Sequence, residues 1–294
     1  MKKILFMLFA CLMAMSAAAQ QASKIVRVYK GNEVVYEERA DELDSVVLVD
    51  DVMYESTHKF KFSVSPTRQV YFSKGNLQYQ PSTNTWRFAE NQYDVIGAGN
   101  SNISPSYSGW IDLFGWGTGG NPTFSSTAYR DYSTFTEWGS CPISNGGNAT
   151  FVWRTLSLEE WYYLIYLRPD AKQKIGFAEI EGGLQGIVLL PDEWTAPDIY
   201  PTFTPNTSDI VNFYEPRQWP ILENSGAIFL PATSIRNGNT ADNNRRDGYY
   251  WAKESWRDAF AFCFCFRSTT LWPEGFYYQL RHYGLAVRLV RTAW

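Results

Sequence analysis

The sequence predicts an α+β chain of short strands, one or two helices and long loops, and three observations lead there. Brief alternating or apolar runs recur between clusters of Gly, Pro, Asn and Ser, which is how strands are punctuated. One clear segment, 157–169, carries helical spacing behind a capping residue. Residues 97–149 are rich in Gly, Ser, Asn and Trp with little periodicity, so they read as loops pinned by buried rings such as Trp110, Trp116 and Trp138.

Residues 1–19 read as a signal peptide. Lys2 and Lys3 supply the positive start, residues 4–15 a short apolar run, and Ala17 and Ala19 a small-x-small cleavage site before Gln20. That run is too short for a spanning helix. A competing reading makes Cys11 a lipid-anchored cysteine, because Leu8-Phe9-Ala10-Cys11 loosely resembles a lipobox, though Phe9 is bulky there. Export to the cell surface, the extracellular space or the periplasm is expected. No later segment is long and apolar enough to be a membrane-spanning helix.

Residues 24–50 form a small β module. Ile25-Val26-Arg27-Val28-Tyr29 alternates like a strand, Lys30-Gly31-Asn32-Glu33 reads as a turn, and Val34-Val35-Tyr36 returns as a second strand. A helical turn at 40–45 and a third strand at 46–49 would follow, with 51–58 as a polar connector. Alone this module is too small for a stable core.

The main domain is placed at 59–294. Residues 60–64 and 69–72 read as strands. Ser157 is the expected N-cap, with Glu159 and Glu160 in the first turn, where negative charge suits the helix dipole. Trp161, Leu164, Ile165 and Leu167 follow at helical spacing, and Pro169 marks the end. Residues 186–191 and 227–231 read as buried strands. Residues 195–224 read as loop with a short helix, and 248–291 as strand-rich. Loops this extensive inside one domain usually carry function.

Composition narrows the function. A formal charge of −4 removes the basic face that nucleic-acid binding needs. Aromatic residues make up 17% of the chain, with 12 Trp, an excess common in extracellular β proteins and ligand-contact surfaces. Three cysteines remain after Cys11: Cys141, Cys263 and Cys265. Cys263 and Cys265 lie two apart on one face of any strand, which is too wide for a relaxed disulfide. There is no CxxC, and the histidines are His58 and His282, so neither a zinc ribbon nor a His-based triad is read here. No cofactor and no metal site is expected.

The runs WRTLSLEEW (153–161), GIVLLPDEW (186–194), IFLPATSIRNG (228–238), GYYW (248–251) and YGLAVRLVR (283–291) follow one another in that order. In this the chain resembles the Bacteroidetes and Fibrobacter paralogous-domain family of secreted proteins. That family is similar to formylglycine-generating enzymes and shares the C-type-lectin-like fold. The resemblance spans roughly residues 60–291 and implies that fold, preceded by the β-hairpin module. Its motifs are scaffold motifs and say little of activity. The segment from GYYW to YGLAVRLVR also resembles the variable region of proteins diversified by diversity-generating retroelements. In those systems a reverse transcriptase rewrites adenine-rich codons at the 3′ end of a gene. The resemblance implies a solvent-facing binding site built from Trp256, Arg257, Phe260, Cys263, Cys265, Arg267, Trp272, Phe276, Tyr277, Tyr278, Leu280 and His282.

The residues themselves point the same way. In Ala261-Phe262-Cys263-Phe264-Cys265-Phe266-Arg267 the alternation puts Phe262, Phe264 and Phe266 on a core face and Cys263, Cys265 and Arg267 on the opposite, exposed face. Leu271-Trp272-Pro273-Glu274-Gly275-Phe276-Tyr277-Tyr278 reads as a loop by its Pro and Gly, and its rings suit a binding surface. On this reading Trp272 and Tyr277 are dispensable for folding and Phe264 is not.

Other chemistries are less well supplied. A formylglycine-generating activity needs a copper-binding cysteine pair, and Cys263 with Cys265 does not match that family's pattern. Glu159-Glu160, Asp192-Glu193 and Asp242 have ordinary explanations as caps and turns. Calcium-dependent lectins carry EPN or QPD followed by WND. Here Glu215-Pro216-Arg217 fails at its third position, no WND occurs, and Arg245 and Arg246 flank Asp242 and Asp247. The expectation is therefore a binding protein rather than an enzyme, adhesin-like, whose partner is a protein or glycan on a cell, phage or host surface. The alternative is a structural component of a pilus or surface assembly, with residues 252–282 constant between strains.

Overall fold

The computed structural model describes residues 25–30, 33–39 and 60–293, apart from 181, 198–200, 243, 245, 268 and 269, with the backbone alone for 25–39 and 270–276. The chain divides into two units, residues 1–50 and 51–294. In the first, Ile25–Lys30 (β1) and Glu33–Arg39 (β2) pair antiparallel, which is the expected hairpin with a shorter turn. The signal peptide at 1–19, the helical turn at 40–45, the third strand at 46–49 and the connector at 51–58 lie outside the described residues.

The second unit is α+β, mostly strands with few helices. Phe62–Ser65 (β3) and Arg68–Phe72 (β4) form a hairpin, as do Leu77–Gln80 (β5) and Thr85–Phe88 (β6). After a long loop region come Ile175–Ile180 (β7), Leu184–Leu189 (β8), Ile210–Tyr214 (β9) and Ile228–Pro231 (β10), in one sheet ordered β10-β8-β7-β9. The β7–β9 pairing is parallel. Strand β9 lies in the stretch expected to be loop. Only Asn212 and Tyr214 of it are buried, so its apolar content gives no clean strand signal.

Arg236–Asn237 (β11) and Thr240–Ala241 (β12) make a small ladder. Asp247–Trp256 (β13), Phe260–Arg267 (β14) and Thr270–Leu280 (β15) form a three-stranded antiparallel sheet. Val290–Ala293 (β16) returns to pair with β4, so the end of the domain is laced to its beginning.

Strand β15 corrects the loop expected at 271–278. Phe264 faces Phe276 and Phe266 faces Leu271, so residues 272–275 stand opposite Cys265 alone. Pro273 and Gly275 mark a bulge in a strand, a position where both residues are tolerated.

The predicted helix begins where its cap places it. Ser157 accepts from the Glu160 amide while the Glu160 carboxylate accepts from the Ser157 amide, a complete capping box. The helix, Leu158–Tyr162 (α1), runs on into a π-helical turn over Tyr163–Leu167, and Arg168 leaves it in extended conformation before Pro169. Trp219–Asn224 (α2) is the short helix foreseen in 195–224. No helix among the described residues is long and apolar enough to cross a membrane.

Among the described residues three hydrophobic clusters fill the unit. One contains Trp161, Phe177, Tyr250, Phe264 and Phe266. A second contains Trp86, Trp116, Trp138, Trp153, Trp251 and Leu285. A third, around Trp219 and Phe229, lies against the four-stranded sheet and α2. The long loop region is pinned as expected by buried Trp116 and Trp138, while Trp110 is half-buried beneath the Arg87 guanidinium, 3.8 Å from its centroid.

Two buried carboxylates titrate in opposite senses. Burial alone would raise Glu160, but hydrogen bonds from Arg154 at 2.6 and 2.7 Å, with Arg68 at 3.2 Å, outweigh it and hold the carboxyl below its usual value. Among the described residues no cation offsets the burial of Asp112, which pushes it up to about 6 against hydrogen bonds from Ile96 and Asn100. Asp112 therefore binds its proton more tightly folded than unfolded. Its ionisation weakens the fold above that value, by on the order of 3 kcal/mol, and the loss is relieved as pH falls towards about 4. Glu160 is the reverse case, stabilising above its unfolded value and losing that contribution as pH falls through its lower folded one. The Asp112 contribution to the melting temperature is expected to rise as pH drops from neutrality to about 4, and the Glu160 contribution to fall below that. In Asp112→Asn the rise should vanish and the acid fall remain, which a melting profile against pH will check.

Candidate functional site

The sheet of β13, β14 and β15 passes between the first two hydrophobic clusters. One face of β14 gives Phe264 and Phe266 to the cluster around Trp161, and the other gives Ala261, Cys263 and Cys265 to the cluster around Trp116 and Trp251. Alternation along β14 thus divides one core from another rather than core from solvent. This corrects the expected exposed Cys-Cys-Arg face. Cys263 and Cys265 are both 0% exposed and behave as small apolar residues. Burial, followed by the proximity of Cys265, drives the Cys263 thiol well above its usual range. A maleimide reagent is expected to leave both cysteines unmodified in the native protein and to label them only after denaturation. Peptide mapping that finds either labelled in the native state would place this face in solvent.

Solvent reaches the sheet at its free end. There β13 carries an irregularity, since Trp251 faces Cys263 and Ser255 faces Ala261, leaving residues 252–254 opposite Phe262 alone. Beyond it Trp256 pairs with Phe260, Phe260 with Leu280, and Phe262 with Tyr278, so these five side chains share one face. That face continues the one carrying Phe264, which stacks on Trp161 at 5.0 Å. The core face simply runs out past its cover.

The rings at this end pack on each other. Trp256 lies 5.3 Å from Phe262 and 6.1 Å from Tyr278, the latter pair nearly parallel, and Phe260 meets Tyr278 edge-on at 5.1 Å. Tyr277 stacks beside Tyr278 at 5.1 Å. Trp256 is 37% exposed and Tyr278 39%, whereas Phe260, Phe262 and Leu280 are half-buried beneath and beside them. The Arg257 guanidinium sits 5.3 Å from the Trp256 centroid.

Arg281 fixes this end in place. Its guanidinium donates to the carbonyls of Arg257 at 2.7 Å, Phe260 at 3.0 Å and Tyr132 at 3.2 Å, and packs 4.7 Å from the Trp116 centroid. It therefore ties the β13–β14 turn, where Arg257 is left-handed at φ +53°, to the loop region beneath. Its neighbours Leu280 and His282 were singled out in the sequence, but Arg281 was not. A buried arginine that serves carbonyls rather than carboxylates leaves no pattern in the primary structure.

Besides the buried Cys263 and Cys265, the sequence-predicted residues separate as follows. Trp256, Arg257, Phe260, Tyr278 and Leu280 come together at the free end. Tyr277 is half-buried against the second cluster, and Arg267 is exposed at the far end of β14, where it donates to the Tyr249 hydroxyl at 3.0 Å. His282 is corrected: it is buried as the chain turns inward after β15, edge-on to Tyr283 at 4.9 Å, and burial lowers its pKa. The side chains of Trp272 and Phe276 lie outside the described ones. Phe262, assigned to the core by alternation, belongs in part to the exposed face. Among the described residues no group of three or more His, Cys, Asp and Glu gathers as a metal site would require. Set against known protein families, curated proteins and solved structures, the chain matches none.

Proposed function

We propose that this chain is an exported, adhesin-like protein that binds a protein or glycan on a cell, phage or host surface, and that it works by binding rather than catalysis. The domain is read as C-type-lectin-like, with the aromatic end of β13, β14 and β15 as the contact face. The observation that carries the reading is the partial exposure of Trp256 and Tyr278 on a bed of half-buried rings whose strands are rooted in the core. Such rings offer contact area at low entropic cost, and a rooted support keeps them ordered before a ligand arrives. The resemblance of 248–291 to retroelement-diversified regions supplies the second part of the proposal, that side chains on this face vary within a population.

Sequencing the 3′ end of the gene and the DNA downstream tests that part. A near-copy of the codons for 252–282, beside a reverse transcriptase and differing at adenines, is expected. The codons for Cys263 and Cys265 should then vary less than those for Trp256 and Tyr278, because buried positions restrict what can replace them. An invariant region without a copy would reject diversification and leave a fixed binder or a structural component.

A further inference from the structure

We propose that a second site, the cleft beside Trp116, binds a neutral oligosaccharide. Two adjoining clefts, of about 450 and 320 Å³, share Trp116 as a common wall. Neither lining includes Trp256, Phe260, Phe262, Tyr278 or Leu280, so this site shares no lining residue with the aromatic face and does not rest on it.

The lining combines two kinds of group. Phe124 and Phe135 present half-buried rings, and Asn121, Asp131, Thr134 and Thr136 stand exposed around them. A pyranose has an apolar C–H face and a rim of hydroxyls, which calls for this mixture of ring faces with short donors and acceptors. At the far end Lys253 and Glu254 offset one another, and among the described residues Asp131 is the one further charge in the lining. A lining with so little net charge favours an uncharged ligand.

The cleft is also preformed. The indole N–H of Trp116 donates to the Ala252 carbonyl at 3.2 Å, and Phe135 is packed between Trp116 at 5.2 Å and Trp138 at 5.5 Å. The two segments that form the floor are joined by backbone bonds, from the Thr136 amide to Gly117 at 3.0 Å and from the Gly119 amide to Thr136 at 3.3 Å. Gly117 makes that approach possible: it is left-handed at φ +69°, and a Cβ there would come within 2.6 Å of the Phe135 backbone. Preformed walls lower the ordering cost of binding.

Gly120 supplies a clean test. It lines the cleft, and a Cβ on it would meet nothing nearer than the Thr136 methyl at 3.6 Å, so a bulky side chain placed there takes up room in the lining. Isothermal titration of the full chain with cellohexaose, xylohexaose, mannohexaose and chitohexaose is expected to show binding of at least one. Gly120→Trp should weaken that binding by about tenfold or more at an unchanged melting temperature. Should Gly120→Trp fail to fold, the pair Asn121→Ala with Thr134→Ala, both at exposed positions, should weaken it to a similar degree. No binding of any of the four, or wild-type affinity in the folded variants, overturns the proposal.

Discussion

Replacing Phe264 by alanine is expected to destabilise the protein by about 3–5 kcal/mol, since a fully buried ring is removed and the space it leaves cannot close. Phe264 lies on the central strand of its sheet, flanked in register by Tyr250 and Phe276, and is stacked on Trp161 with an interplanar angle of 15°. Few directions are open for collapse, because Trp161 is itself held by a capped helix and Tyr250 by the bond from its hydroxyl to the Pro231 carbonyl at 2.7 Å. In a domain of this size the loss corresponds to a drop in melting temperature of about 10 °C. Phe262→Ala is the internal control, on the same strand and the same face but half-exposed. It should cost about 1 kcal/mol, because part of its area is already in water. Equal losses at the two positions, measured by thermal and denaturant melts, would mean that the sheet end is covered as fully as its centre.

That contrast also marks where the sequence could be read and where it could not. The helix start was legible because Ser157 and Glu160 act on backbone groups within their own turn, so local chemistry suffices. The strands at β3, β4, β8 and β10 were legible because their apolar runs are bounded by turn residues. The two faces of β14 were not. A period of two says which residues share a face, but it cannot say that a second hydrophobic cluster lies on the far side, and Cys263 and Cys265 are as buried as the phenylalanines between them. The Pro and Gly of β15 failed for a related reason, since a bulge and a loop use the same residues. Strand β9 failed because only Asn212 and Tyr214 of it are buried while Val211 and Phe213 face solvent, so its residues do not alternate apolar-in and polar-out. Of the candidate site, the aromatic members were legible as types that surfaces employ for binding. Their support, through Arg281 and the carbonyls of Arg257, Phe260 and Tyr132, was not, because every partner depends on how the chain returns on itself.

The converse experiment removes the exposed rings. Trp256→Ala combined with Tyr278→Ala should leave the fold largely intact and abolish ligand recognition. The stability loss expected is about 1–2 kcal/mol, because what disappears is a ring pair and contacts with Phe260 and Phe262 at a half-wet surface. The binding loss expected is larger. Central aromatic anchors contribute at least about 2 kcal/mol each, which is roughly thirtyfold in affinity for a single ring and far more for two. Binding is read on whichever ligand the wild-type protein retains in a screen of surface proteins and glycans, with the melting temperature followed in parallel. The pattern across the two experiments separates the cases. If Phe264→Ala melts early and the double variant melts near the wild type but no longer binds, then one strand face serves as core at its centre and as contact surface at its end. If the double variant melts as early as Phe264→Ala, the rings are structural. If it binds as well as the wild type, recognition lies elsewhere on the domain, and the cleft beside Trp116 becomes the first place to look.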